Sequence, residues 1–152
     1  MALTLSLLVA VVLIFSGLSW LRPSPMEKRQ MQARQAARKI GLHPHVRALS
    51  AWAKQRSDRP MLPFYSLAGG VGEQHFSIWL SGAEWVGQPD SPGSHLISES
   101  LSGWLSERPD AVIGVEANAS QVGVWWQHED ESQLAALAAW LKACPLRKGS
   151  NA

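Results

Sequence analysis

AVIGVEANASQVGVWWQ, residues 111–127, decides the fold class. Two runs rich in β-branched and aromatic residues, 111–117 and 121–127, flank Asn118-Ala119-Ser120, which reads as two antiparallel strands closed by a hairpin turn. The two-residue period of a strand puts Val122, Val124 and Trp126 on one face and Trp125 on the other.

Outward from the hairpin the same kind of pattern repeats. Downstream, a helix is expected from about Glu131 to Ala143. Asp130 serves as its cap, Leu134, Leu137, Leu141 and Cys144 as its buried stripe, and Pro145 as its stop. Glu129, Asp130 and Glu131 fall at its positive end, where the helix dipole favours carboxylates. Upstream, residues 61–68 (MLPFYSLA) read as a strand, with Pro63 pointing to a sheet edge. Residues 74–80 (QHFSIWL) alternate, placing Phe76, Ile78 and Leu80 opposite His75, Ser77 and Trp79. GQPDSPGS (87–94) is a loop. Residues 95–106 form a helix with Ser94 as candidate cap and Leu96, Ile97, Leu101, Trp104 and Leu105 on its apolar face. The order strand, strand, helix occurs twice. It predicts an α+β fold: a small antiparallel sheet of about four strands with two helices on one face. This domain covers residues 60–145, followed by a tail at 146–152, and is expected to fold without what precedes it. Residues 42–59 read as a linker or an extra strand.

Charge divides the chain. Residues 22–59 hold ten Lys or Arg against Glu27 and Asp58, a net +8, whereas residues 60–152 carry a net −6. A basic juxtamembrane helix occupies 24–41. Ser24 and Glu27 make a capping box, Pro25 suits the first turn, and Gly41 suits the position after the last helical residue. Its apolar residues are few, so it reads as a solvated helix near a lipid surface. Arg29, Arg34, Arg38 and Lys39 are its candidate contacts to anionic lipid or an acidic partner.

LTLSLLVAVVLIFSGLSWL (3–21) carries no charge. At about 1.5 Å per residue, nineteen residues match a bilayer core of roughly 30 Å, so 3–21 reads as a transmembrane helix with Trp20 in the interfacial belt. Trp20-Leu21-Arg22-Pro23 is a poor signal-cleavage site. The flanking Lys and Arg all follow the span, which predicts an outside amino terminus and a cytoplasmic domain at the bacterial inner membrane. The lone Cys144 accords with a reducing compartment. Ala2, Ser6 and Ala10 form a stripe of small residues compatible with a homo-oligomer, although such spacing is common in membrane helices.

Chemical motifs are absent from the sequence. His43-Pro44-His45 has no nearby Cys, Asp or Glu to complete a metal shell, and His75, His95 and His128 are scattered. Gly69-Gly70-Val71-Gly72 lacks the Lys-Ser or Lys-Thr of a phosphate loop. LISESLSGWLSE holds no nucleophile elbow. No metal, cofactor or catalytic residue is expected. The negative distal domain argues against nucleic acid, which needs positive charge. Trp79 and Trp125 share the face opposite Phe76 and Val124. They form an exposed aromatic partner surface unless residues 42–53, with Trp52, cover them.

Trp20-Leu21-Arg22-Pro23-Ser24-Pro25-x-Glu27-x-Arg29, Ala37-Arg38-x-x-Gly41-Leu42 and Val122-Gly123-Val124-Trp125-Trp126 together resemble a family of small single-pass inner-membrane proteins of proteobacteria with a Leu-Arg-Pro-Ser-Pro juxtamembrane motif. The resemblance implies an inner-membrane location and no known activity, and brings over no functional residues. The small accessory subunit of the bacterial Sec translocon is similar only in Leu21-Arg22-Pro23 and in topology. The expected function is that of a membrane-tethered, non-enzymatic interaction domain, an accessory or assembly factor of an inner-membrane complex. The alternative is a ligand-binding module or enzyme built from dispersed residues such as Glu73, His75, Glu84 and His128.

Overall fold

The computed structural model describes residues 2–20, 24–91, 95 and 101–148, and within the first helix the side chains of residues 6–16. The order is α1 (Ala2–Trp20), α2 (Pro25–Lys39), β1 (Leu42–Ala48), α3 (Ala51–Lys54), β2 (Met61–Ala68), β3 (Phe76–Ser81), β4 (Glu84–Gly87), α4 (Ser102–Ser106), β5 (Val112–Ala117), β6 (Gln121–Trp126), a 3-10 turn (Glu131–Gln133) and α5 (Leu134–Lys142). Among the described residues no helix is long and apolar enough to cross a membrane. The span expected at 3–21 lies partly outside them.

The fold is α+β, with one antiparallel sheet in the order β1-β2-β6-β5-β3-β4. The sheet therefore has six strands, not about four. Both additions are short or ambiguous in sequence. β1 pairs with β2 from Leu42↔Leu67 to Ala48↔Met61, so the stretch left open as linker or strand contains a strand. β4 folds back on β3 through a two-residue turn at Gly82-Ala83, between Ser81 and Glu84. Gly82 has φ +65°, the conformation a Gly-x hairpin turn requires at its first position. β2 is interior, not an edge as Pro63 suggested. Its ladder with β6 begins only at Phe64↔Trp125, so at Pro63 that side of the strand has no partner to satisfy.

The hairpin of residues 111–127 forms as expected. β5 and β6 pair from Ala117↔Val122 to Val112↔Trp126, with an irregularity between Val112 and Gly114. Asn118 Oδ1 accepts from the Ser120 and Gln121 amides and fixes the turn. In the last helical segment Asp130 caps the 3-10 turn by accepting from the Ser132 amide. Leu134, Leu137, Leu141 and Cys144 are all buried. The helix expected at 95–106 is described only from Ser102 to Ser106. Its Leu101, Trp104 and Leu105 are buried, and Ser94, Leu96 and Ile97 lie outside the described residues.

Each face of the sheet carries its own apolar cluster. On one side Tyr65, Leu67, Phe76, Ile78, Val115, Val122, Val124 and Trp126 meet α2, α4 and α5. Trp104 and Trp140 lock α4 to α5. Their rings stack at 4.0 Å and 6°, and each indole N–H donates to the other's carbonyl, at 2.7 and 2.8 Å. On the other side Leu62, Phe64, Trp79 and Trp125 meet Leu49 and Ala53 from the segment after β1.

α2 departs from its expected role. It has the capping box and Pro25 start expected of it, but it is not a free solvated helix. It packs on β1 and α5 with Ala33 and Ala37 fully buried. Those two alanines lie four residues apart on one helical face, and their small size lets the helix approach the sheet closely. Three helices, not two, cover that face.

Candidate functional site

A groove of about 670 Å³ opens where the first half of α2 meets β1, β2 and the strand exit after β6. Pro25, Met26 and Arg29 line it from α2, Arg59 and Met61 from the β2 entry, and His128 from the β6 exit. Its floor is an ionic clasp. Arg34 donates from Nε to Glu129 Oε1 at 2.8 Å and from Nη2 to Oε2 at 2.9 Å, and the Tyr65 hydroxyl donates to Oε1 at 2.7 Å. The Glu129 side chain is 1% exposed and that of Arg34 31%. A carboxylate so deeply placed needs this full set of donors to be stable as an anion.

The clasp shifts the titration of Tyr65 and Arg34. Burial, then the hydrogen bond to Glu129, raises the Tyr65 phenol well above the ordinary value of 10. The Glu129 hydrogen bond likewise raises Arg34. As pH rises above 10, an unfolded chain gives up the tyrosine proton while the folded one keeps it. The stability Tyr65 contributes is thus complete below pH 10 and falls above it by about 1.4 kcal/mol per pH unit. Tyr65 is the chain's one tyrosine. Urea melts at about pH 9 and about pH 11 should show a steeper alkaline loss in the wild type than in Tyr65→Phe. Cys144, whose thiol burial also raises, contributes a loss of the same sign to both proteins. Equal slopes would mean the phenol is not held in the clasp.

The structure sorts the expected contacts. Arg29, Arg38 and Lys39 are exposed. Arg34 is not a free cation as expected: Glu129 holds the Nε–Nη2 edge of its guanidinium, and the side chain is only partly exposed. Glu129 itself, read in sequence as a helix-dipole carboxylate, is the anchor for α2. Trp79 and Trp125 do not form an exposed aromatic surface: they are 2% and 4% exposed. Both rings approach Gly114, where an added Cβ would come within 2.5 Å of Trp79 and 2.9 Å of Trp125, so the absence of a side chain there lets the pair pack close to the strand. Trp125 packs on Phe64 and Trp79 at 4.9 and 6.2 Å. Trp52, Leu49 and Ala53 close over them. Arg47 lies over the Phe64 and Trp125 rings at 4.6 and 5.4 Å, tied to Glu116 at 3.3 Å. The covering segment is the one sequence alternation held open.

The dispersed residues of the alternative reading do not converge. His75, Glu84 and His128 line three different cavities, and Glu73 is exposed and lines none of these. Among the described residues no three His, Cys, Asp or Glu side chains lie close enough to hold a metal. The groove itself was not foreseen. Its lining comes from segments far apart in the chain, and the signal that could have pointed to it is the exposed Met26 and Met61 beside Arg29 and Arg59. Comparison with family models, curated proteins and solved structures finds no match to this chain.

Proposed function

We propose that this chain is a membrane-tethered, non-enzymatic interaction domain, an accessory or assembly factor of an inner-membrane protein complex. The observation that carries the reading is the junction between α1 and α2. α1 is nineteen residues long without a charge, and its described Leu7, Leu8, Leu13, Ile14 and Phe15 are all exposed. An apolar helix bare on every side is stable in hydrocarbon and not in water. The described side chains, residues 6–16, are too few to span a bilayer by themselves, but the uncharged run of the sequence at 3–21 is about 28 Å as a helix at 1.5 Å per residue, the thickness of a bilayer core. α2 starts five residues later and is fixed to the sheet by Ala33, Ala37 and the Arg34–Glu129 clasp. A tether joined to a docked helix presents one fixed end of the domain to the lipid and leaves the rest for a partner.

Membranes from cells making the full chain should retain it through alkaline extraction, and deletion of residues 2–20 should release it. With Lys and Arg following the span, a carboxy-terminal reporter active only in the periplasm should stay silent. Release of the intact chain by alkali removes the tether. Strong periplasmic signal reverses the topology. Recovery of one stoichiometric membrane-protein partner from mild detergent is the expected result for an assembly factor.

A further inference from the structure

The groove between α2, β1 and β2 has three properties that belong together. The first is charge. Arg34 and Glu129 neutralise each other on its floor. Arg29 and Arg59 also line it, and neither makes an ion pair among the described residues. The second is apolar surface at the same opening: Met26, Val46 and Met61 line the groove and are all exposed. The third is position. Five residues of chain from Trp20 to Pro25 reach at most about 18 Å, so the Pro25–Met26 lip stays near the end of α1 in any arrangement.

We propose that this groove binds one anionic membrane phospholipid, with Arg29 and Arg59 on the phosphodiester and Met26, Val46 and Met61 against the start of the acyl chains. The proposal rests on the membrane tether argued above. Guanidinium groups suit a phosphate because their donors form a planar fork matching two of its oxygens. Free inorganic phosphate has no use for the apolar lip, and a zwitterionic lipid brings, beside its phosphodiester, an ammonium that the two guanidinium groups repel. The methionines adapt to chains of irregular shape because their side chains are unbranched and flexible. The acidic side of the site is also defined. Arg29 borders a second cleft with Gln32, Glu129, Asp130 and Glu131. Of these, Asp130 and Glu131 make no ion pair among the described residues, so they repel a phosphate and confine it to the Arg59 side of Arg29.

The full chain, purified in mild detergent, is titrated with phosphatidylglycerol or phosphatidylcholine and read by native mass spectrometry. One phosphatidylglycerol should be retained in preference to phosphatidylcholine. Arg29→Gln with Arg59→Gln should weaken that retention roughly tenfold or more, since each basic residue near an anionic lipid contributes appreciably. Arg38→Gln with Lys39→Gln removes equal charge outside the groove and should leave retention unchanged. Glu131→Gln should strengthen it. Equal retention of the two lipids, equal loss in both double variants, or displacement by millimolar inorganic phosphate would each overturn the proposal. Circular dichroism of the variants checks that they fold. Alkaline extraction separates the two readings. A chain that stays in the membrane but shows no lipid preference loses this site and keeps its tether, while a chain released by alkali loses the tether itself.

Discussion

Residues 60–152 produced alone will not melt cooperatively, whereas residues 24–152 will. The sequence by itself points the other way for the shorter piece, because the strand alternation and both helix stripes lie inside it. The structure shows what the cut removes. β2 loses its entire ladder with β1, from Leu42↔Leu67 to Ala48↔Met61. Buried Leu42, Leu49 and Ala53 disappear, uncovering Leu62, Phe64 and Trp125. Glu129 loses Arg34, its guanidinium partner, together with the helix packed beside it. Each fully buried leucine contributes about 1.5–3 kcal/mol. Breaking a buried ion pair from one side costs about 3–5 kcal/mol, toward the lower end here because Arg34 is partly exposed. Together these losses match the roughly 5–15 kcal/mol that holds an ordinary domain folded. Urea titration followed by tryptophan fluorescence separates the two pieces. A sharp transition in residues 60–152 would show that β1 and α2 are accessories to a core that stands without them.

Trp140→Ala should lower the stability of the folded part by about 3–5 kcal/mol, the range for losing a large buried aromatic side chain. In a melt this appears as a drop of roughly 10–20 °C. The size follows from the reciprocal geometry. Removing the Trp140 ring takes away the stacked partner of Trp104 at 4.0 Å and the donor to the Trp104 carbonyl, leaving a cavity between α4 and α5. Trp140→Phe keeps a six-membered ring for the stack and loses the donor and part of the indole, so its cost should be smaller than that of Trp140→Ala, about 1.5–3 kcal/mol. A double cycle with Trp104→Ala should show strong coupling, because each ring is the other's main contact. Additive losses would mean that the two rings are stable independently.

What could be read in advance followed period. The β5–β6 hairpin and the stripe of α5 are long, regular patterns, and Val122, Val124, Trp126, Leu134, Leu137 and Leu141 are buried as those patterns require. Glu84–Gly87 is four residues, too short for alternation to register, and only the Gly82-Ala83 turn announces it. β1 carries Pro44 between two histidines and looks like a connection until β2 supplies its partner. α2 seemed unable to bury itself because alanine has little hydropathy. Ala33 and Ala37 dock it through smallness, a property that hydropathy does not score. Strand alternation placed Trp79 and Trp125 on the correct face. It could not say what lay above them, since the cover comes from residues 49–53. Arg34 and Glu129 are ninety-five positions apart, and no local pattern joins them.

The strand order has a consequence in time. β2 lies between β1 and β6, and Phe64 is paired with Trp125. At a synthesis rate of about 5–20 residues per second, those sixty-odd intervening residues take roughly 3–12 s to emerge. For that interval the first hairpin, β1 with β2, is complete while one flank of β2 is open, with Phe64, Tyr65 and Leu67 awaiting the sheet and helices that will cover them. During that interval the open flank is exposed to other nascent chains. Proline at position 63 and the basic residues Arg47, Arg56 and Arg59 near the open end are what discourage wrong strands from pairing there before β6 arrives.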